Sequence, residues 1–122
     1  MTSDSLSPAH VDPKALEALR DVMEDQYPIL LDSFLEDSRA RLAQLQAARD
    51  AGDLRAVSLA AHSLKGSSSN LGAVALAALC SALERCALQP PAEDVAVLIE
   101  AITVEFALVT PLYEEERDRF TA

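Results

Sequence analysis

Ala61-His62-Ser63-Leu64-Lys65-Gly66-Ser67-Ser68-Ser69-Asn70-Leu71-Gly72-Ala73 is the stretch from which the rest of the chain is read. On an α-helix, residues three and four places after a histidine lie beside it on the same face. Lys65 therefore brings a positive charge close to the His62 imidazole, and Gly66 leaves out the side chain that would crowd it. Such a site suits an anion carried on a ring nitrogen, and a phosphoryl group is the natural candidate. Glycine inside a helix costs about 1 kcal/mol relative to alanine, so a glycine one turn from an exposed histidine calls for a reason. Steric access is the simplest one. A close helix contact at Gly66 competes with it, but Gly66 is in phase with His62 and lies across the helix from Leu54, Val57, Ala61 and Leu64.

Working outward, the same periodicity accounts for the whole chain. Leu54, Val57, Ala61, Leu64, Ser68 and Leu71 form a buried stripe, while Arg55, Ser58, His62, Lys65 and Ser69 form a polar one. Asp53 is placed to cap this helix, and Gly52 ends the helix before it. That earlier helix opens at Pro28 and carries Leu31, Phe34, Leu35, Ser38, Leu42 and Leu45 on one side. Asp12-Pro13 is a start signal for a short first helix that ends near Asp25. After the Asn70-Leu71-Gly72 turn, Leu76, Leu79, Cys80, Leu83 and Cys86 mark a fourth helix, broken by Gln89-Pro90-Pro91. The fifth runs from about Ala92 towards Phe120, with Pro111 expected to kink or split it and Glu114 to Asp118 expected to fray in solvent. Residues 1–11 read as a flexible tail and 12–122 as one domain. The expected fold is all-α, an up-down antiparallel four-helix bundle with a short additional N-terminal helix.

Composition narrows the function classes. Half of the 122 residues are hydrophobic but only 4% are aromatic, so leucine, alanine, valine and isoleucine must build the core. Twenty acidic residues against ten basic give a net charge of −10. Nucleic acid and anionic membrane surfaces are disfavoured partners, since both select lysine and arginine. No run of roughly 18 uninterrupted apolar residues occurs, and Met1 to Val11 lacks a signal-peptide pattern; the expected location is cytoplasmic. Cys80 and Cys86 fall on different sides of one helix and are expected to be packing residues. The other histidine, His10, lies in the tail, and a structural zinc site normally needs four ligands. Neither a glycine-rich phosphate loop nor a nucleophile turn of the hydrolase kind is present.

Neutral imidazole is a competent nucleophile towards activated phosphoryl groups, and its ordinary pKa of about 6.5 leaves much of it neutral near pH 7. Phosphoryl transfer depends mostly on positioning and charge stabilisation. His62 would be the nucleophile, Lys65 the cation and Gly66 the open approach; Ser67 and Ser69 would offer hydrogen bonds of the kind any exposed helix face supplies.

The run H-S-L-K-G-S-S-S-N-L-G-A resembles the signature of histidine-containing phosphotransfer (HPt) domains, the carriers of bacterial multistep phosphorelays. The likeness covers H-x-x-K-G and the trailing Leu-Gly, and the helical order agrees over roughly Asp12 to Phe120. The resemblance implies that His62 takes a phosphoryl group on Nε2 from the receiver-domain aspartate of a hybrid sensor kinase and passes it to a response-regulator receiver. It implies that Lys65 screens the phosphoryl charge and Gly66 keeps the approach clear. It also implies no cofactor of the chain's own, Mg²⁺ on the partner receiver, a monomer, and no autokinase activity. The docking surface would surround His62, with Ser58, Leu59, Ser63 and Ser69 as candidates on its helix and unspecified exposed positions of the preceding helix. Leu59, out of phase with the apolar stripe, is a docking residue, a leucine covered by another segment, or a single exposed leucine of no consequence. The rival from a different class is a non-catalytic helical module that binds and sequesters a signalling partner. A further rival is a helical subunit of a larger assembly, which an extended apolar patch would favour.

Overall fold

In the computed structural model, which describes residues 9–89 and 92–121, five α-helices are present: α1 (Pro13–Met23), α2 (Tyr27–Asp50), α3 (Leu54–Asn70), α4 (Val74–Leu88) and α5 (Val95–Arg119). No strand occurs among the described residues. Helices α2, α3, α4 and α5 form a closed ring in which each packs against its chain neighbours and α5 returns to α2. The architecture is the expected up-down bundle, with α1 a short addition that packs against the start of α2.

The helix starts follow their capping residues. The Asp12 carboxylate accepts from the Lys14 amide (3.0 Å) and that of Asp53 from the Ala56 amide (3.1 Å), each satisfying a donor that the first turn leaves open. Gly52 and Gly72 end α2 and α3 at φ +70° and +74°, where a Cβ is disfavoured. The core is aliphatic, with Leu31, Leu35, Leu45, Leu64, Leu76, Leu83, Ile99 and Ile102 all fully buried. The short Gly72 turn makes α3 and α4 an antiparallel pair, and they are the most closely packed helices of the bundle. Tyr113 from α5 locks that turn, donating its hydroxyl to the Leu71 carbonyl at 2.6 Å while its ring packs against Phe34.

Three expectations are corrected. Residues 1–8 of the anticipated tail lie outside the described residues, but residues 9–11 are not loose. Val11 is fully buried, the Asp12 amide donates to the Gly72 carbonyl (2.8 Å), and His10 Nδ1 lies 2.8 Å from Glu105 Oε2. Next, α5 passes unbroken through Pro111. The carbonyl deprived of its donor belongs to Ala107, and both residues are exposed, so water can satisfy it. The segment Glu114 to Asp118 does not fray. Glu116 is buried, accepting from the Tyr27 hydroxyl (2.7 Å) and from Arg119 (2.8 Å), and Arg117 reaches Asp32 on α2. Burial above all, then the Glu116 carboxylate, pushes the Tyr27 hydroxyl far above the ordinary tyrosine pKa. The break at Pro90-Pro91 falls outside the described residues, and α5 starts three residues later than its hydrophobic pattern suggested.

The two glycine turns should respond differently to a Cβ. At Gly52 nothing lies within 4 Å, whereas at Gly72 the new atom would sit 2.9 Å from Ala15 Cβ and 3.1 Å from the Asp12 carbonyl oxygen. Gly52→Ala is expected to cost about 1 kcal/mol from backbone strain alone. Gly72→Ala is expected to cost at least about 2 kcal/mol, because strain is joined by a clash with backbone. Urea denaturation of the two variants checks the order.

Candidate functional site

His62 stands on α3 with 64% of its side chain exposed. Its Nδ1 lies 2.9 Å from Oε2 of Glu84 on α4, and the other oxygen of that carboxylate accepts from Lys65 Nζ, also at 2.9 Å. One carboxylate therefore spans from α4 to two residues of α3. An ionised carboxylate only accepts hydrogen bonds, so the neutral ring carries its proton on Nδ1. The lone pair is left on Nε2, the nitrogen that Glu84 does not engage. The tautomer, which composition and spacing leave open, is fixed by this neighbour.

Lys65 is not a free cation beside the ring; it is held by Glu84. The Lys65 hydrogen bond above all, opposed by partial burial and reinforced by His62, holds the Glu84 carboxyl below the usual carboxylate range. Cys80, one turn before Glu84, is buried, and burial pushes its thiol up to about 12. It is a packing residue rather than a second nucleophile.

The competing explanations for Gly66 are now separable. A Cβ built there meets nothing within 4 Å, so no helix contact within the chain requires glycine. The residue keeps space empty above α3 next to the ring. Past Gly66, an open groove of about 460 Å³ runs between α2 and α3, lined by Arg41, Gln44 and Ala47 from α2 and Ala56, Leu59 and Ser63 from α3. Leu59 is 60% exposed on its edge, so no other segment of the described chain covers it. Arg41 and Gln44 are the polar residues that α2 contributes to this groove.

Of the anticipated site residues, the structure brings His62, Lys65 and Gly66 together, sets Leu59 and Ser63 along the groove, and leaves Ser69 exposed two turns beyond His62. Ser58 does not join them. It is only 6% exposed, against its expected place on the polar stripe. Ser58 and Lys65 are two turns apart and share the side of α3 that faces α4; the lysine is long enough to reach Glu84 and the rim, while the serine is covered. Glu84 was missed altogether. Its only signal is that it is the one acidic residue of α4, whose other polar residues are Ser81 and Arg85. Among the described residues, no group of three or more histidine, cysteine, aspartate or glutamate side chains is arranged to hold a metal ion.

Residues 29–109 match the Hpt domain family. The chain belongs to that family. The fold is similar to the crystal structure of histidine-containing phosphotransfer protein B (HptB) from Pseudomonas aeruginosa PAO1, at 48% sequence identity and a TM-score of 0.90, covering 93% of this chain and 98% of that one. No curated protein sequence matches the chain. Membership of the Hpt family makes this a histidine phosphotransfer domain of two-component phosphorelays and a carrier rather than an enzyme of the usual kind. Helix α5, though long and apolar enough by composition to cross a membrane, contributes its inner face to the bundle core.

The shared carboxylate makes two measurable predictions. Glu84 has a lower pKa folded than unfolded, so its brace stabilises the fold above the unfolded carboxylate value of about 4.5 and is lost as pH falls through the lower folded value. Its carboxyl carbon, followed by NMR, should titrate below 4.5 in the wild type and move upward in Lys65→Ala. In Glu84→Ala the neutral His62 ring should lose its preference for the Nδ1–H tautomer, read from the ring nitrogen shifts; an unchanged tautomer would show that Glu84 does not set it.

Proposed function

We propose that His62 is the phosphoryl acceptor of this Hpt domain and that Nε2 is the atom phosphorylated. The observation that carries this reading is the free Nε2 of an exposed ring whose Nδ1 is tied to Glu84, with empty space at Gly66 beside it. In the forward step the Nε2 lone pair attacks phosphorus of the receiver's aspartyl phosphate. A phosphorus–nitrogen bond forms, the phosphorus–oxygen bond to the aspartate breaks, and the carboxylate leaves with the electron pair. No proton has to move, because Nδ1 already holds it. The phosphorylated ring is then cationic, and the Glu84 carboxylate next to Nδ1–H stabilises that charge. Reversal onto a second receiver is favoured by the same arrangement, since an Nδ1-protonated imidazole is the better leaving group.

Lys65 supplies positive charge to the phosphoryl oxygens, and this requires its ammonium to be shared with, or released from, Glu84. The Mg²⁺ that assists the reaction belongs to the receiver, and this chain brings no cofactor of its own and no autokinase activity. The receiver of a hybrid sensor kinase is read as donor and a response-regulator receiver as recipient, each docking over His62, Leu59, Ser63 and Ser69 and along the groove beside Arg41 and Gln44. The chain is read as a cytoplasmic monomer. The alternative, a module that sequesters a partner without phosphoryl chemistry, is not favoured by any feature that the carrier reading leaves over at this site: a bare helix position and a tautomer-fixing carboxylate serve transfer, not mere binding.

Incubation with a phosphorylated receiver should place an acid-labile, base-stable phosphoryl group on the wild type and none on His62→Gln. Equal labelling of the variant would refute the assignment, and receiver binding without any label would favour sequestration. Gly66→Leu should block transfer by at least about 100-fold while leaving helicity intact, since the lost positioning is worth about 2.7 kcal/mol or more. Lys65→Ala should slow transfer about tenfold or more without abolishing it. Leu59→Ser should weaken receiver binding with little effect on the rate at saturating receiver.

A further inference from the structure

Helix α5 carries more apolar surface than the bundle uses. Between Asp94 and Glu114 its charged residues are Glu100 and the buried Glu105. Only 28% of its most apolar 18-residue window is buried. The inner side, represented by Ile99, Ile102, Phe106 and Val109, fills the core. On the opposite side Val97, Val104 and Leu108 are 66%, 59% and 43% exposed. Ala101 and Pro111 complete these into one stripe by steps of three and four residues, which is the pattern of a contact face rather than of scattered surface leucines. Helix α2 shows the contrast, its outer side carrying Asp32, Glu36, Asp37 and Arg39.

Charge selects what fits the stripe. Glu93 and Asp94 lie at one end, Glu100 flanks the stripe between Val97 and Val104, and Glu114 and Glu115 at the other end are paired with Arg39 and Arg119. The nearest arginines are already engaged: Arg39 with Glu114, Arg117 with Asp32 and Asp118, and Arg119 with Glu115 and Glu116. A second copy laid parallel along α5 would set Glu93, Asp94 and Glu100 against their own counterparts, and in either orientation the two chains each carry −10. An anionic bilayer meets the same repulsion. We propose that the outer face of α5 docks an amphipathic protein helix whose apolar ridge is flanked by lysine or arginine. Helices α3 and α5 occupy diagonal corners of the bundle, so a partner held there leaves His62 open to receivers. The chain would then be tethered through one side while phosphoryl groups pass through the other.

The test uses the full isotopically labelled chain and two 18-residue synthetic helices with the same leucine ridge, one flanked by lysine and one by glutamate. The lysine peptide should bind and shift the amide resonances around Val97, Val104 and Leu108, with affinity that falls as salt is raised. The double variant Val104→Ser/Leu108→Ser should bind it at least tenfold more weakly, with unchanged helicity and unchanged phosphorylation of His62. Absence of binding, equal binding of the glutamate peptide, equal binding by the double variant, or shifts confined to the α2–α3 groove would each overturn the proposal. So would sedimentation of the wild type as a dimer that the double variant dissolves, which assigns the face to a second copy. Flotation of the chain with phosphatidylcholine vesicles, lost in the double variant, would assign it to lipid.

Discussion

The left-handed turn at Gly72 is the constraint on which the rest is built. It reverses the chain within three residues and so fixes how α3 and α4 lie alongside each other. His62 is ten residues before Gly72 and Glu84 is twelve after it. At about 1.5 Å of rise per residue, those distances bring the two side chains nearly level across the pair. A longer connection would loosen that register, and the carboxylate would no longer meet both Nδ1 and the lysine. The rest of the fold is organised to hold the turn still. The N-terminal arm hydrogen-bonds the Gly72 carbonyl, Ala15 packs where a Cβ would be, and Tyr113 takes the Leu71 carbonyl. A side chain on α5 and a segment before α1 thus serve a site that neither touches.

This explains which parts were legible in the sequence. Faces of single helices were: Asp12, Asp53, Gly52 and Gly72 punctuate the chain, and three- and four-residue steps divide inside from outside. His62, Lys65 and Gly66 sit within one turn, so their adjacency follows from helix geometry alone. Glu84 was not legible, because periodicity gives the faces of each helix but not the height at which two helices meet. Ser58 failed for a related reason. The stripe that contains it drifts towards α4, and only the packed pair shows where cover begins. His10, Val11 and Glu116 were misjudged because polar or terminal stretches were read as solvated, when specific partners on other helices bury them. At Pro111 the split that was one of the expected outcomes does not occur, and the exposed position leaves the Ala107 carbonyl open to solvent.

The site's electrostatics also differ from a lysine simply placed next to a histidine. Glu84 sets one carboxylate against the Lys65 ammonium while also engaging the ring. On the proposed assignment, arrival of a phosphoryl group would change each term. The ring would gain positive charge and need the carboxylate more, while the phosphoryl oxygens would compete for the ammonium. The carboxylate can serve one demand by relinquishing the other, since its two oxygens are separately engaged. Exposure keeps these exchanges inexpensive, because water screens what the side chains momentarily leave unpaired.

Such a low-cost exchange is what a carrier requires. A site that bound the phosphoryl group tightly would be a trap, and one that offered no compensation would not be loaded. On the proposed assignment the His62 cluster lies between these limits, because its charged partners are shared and close to solvent, whereas the polar pairs that hold the fold together, Tyr27 with Glu116 and Tyr113 with Leu71, are buried. Rigidity is thus placed in the bundle and adaptability at its rim. Gly66 belongs to the second part: it adds nothing to the fold that alanine would not improve, and its cost is borne where, on the proposed assignment, a receiver would come close.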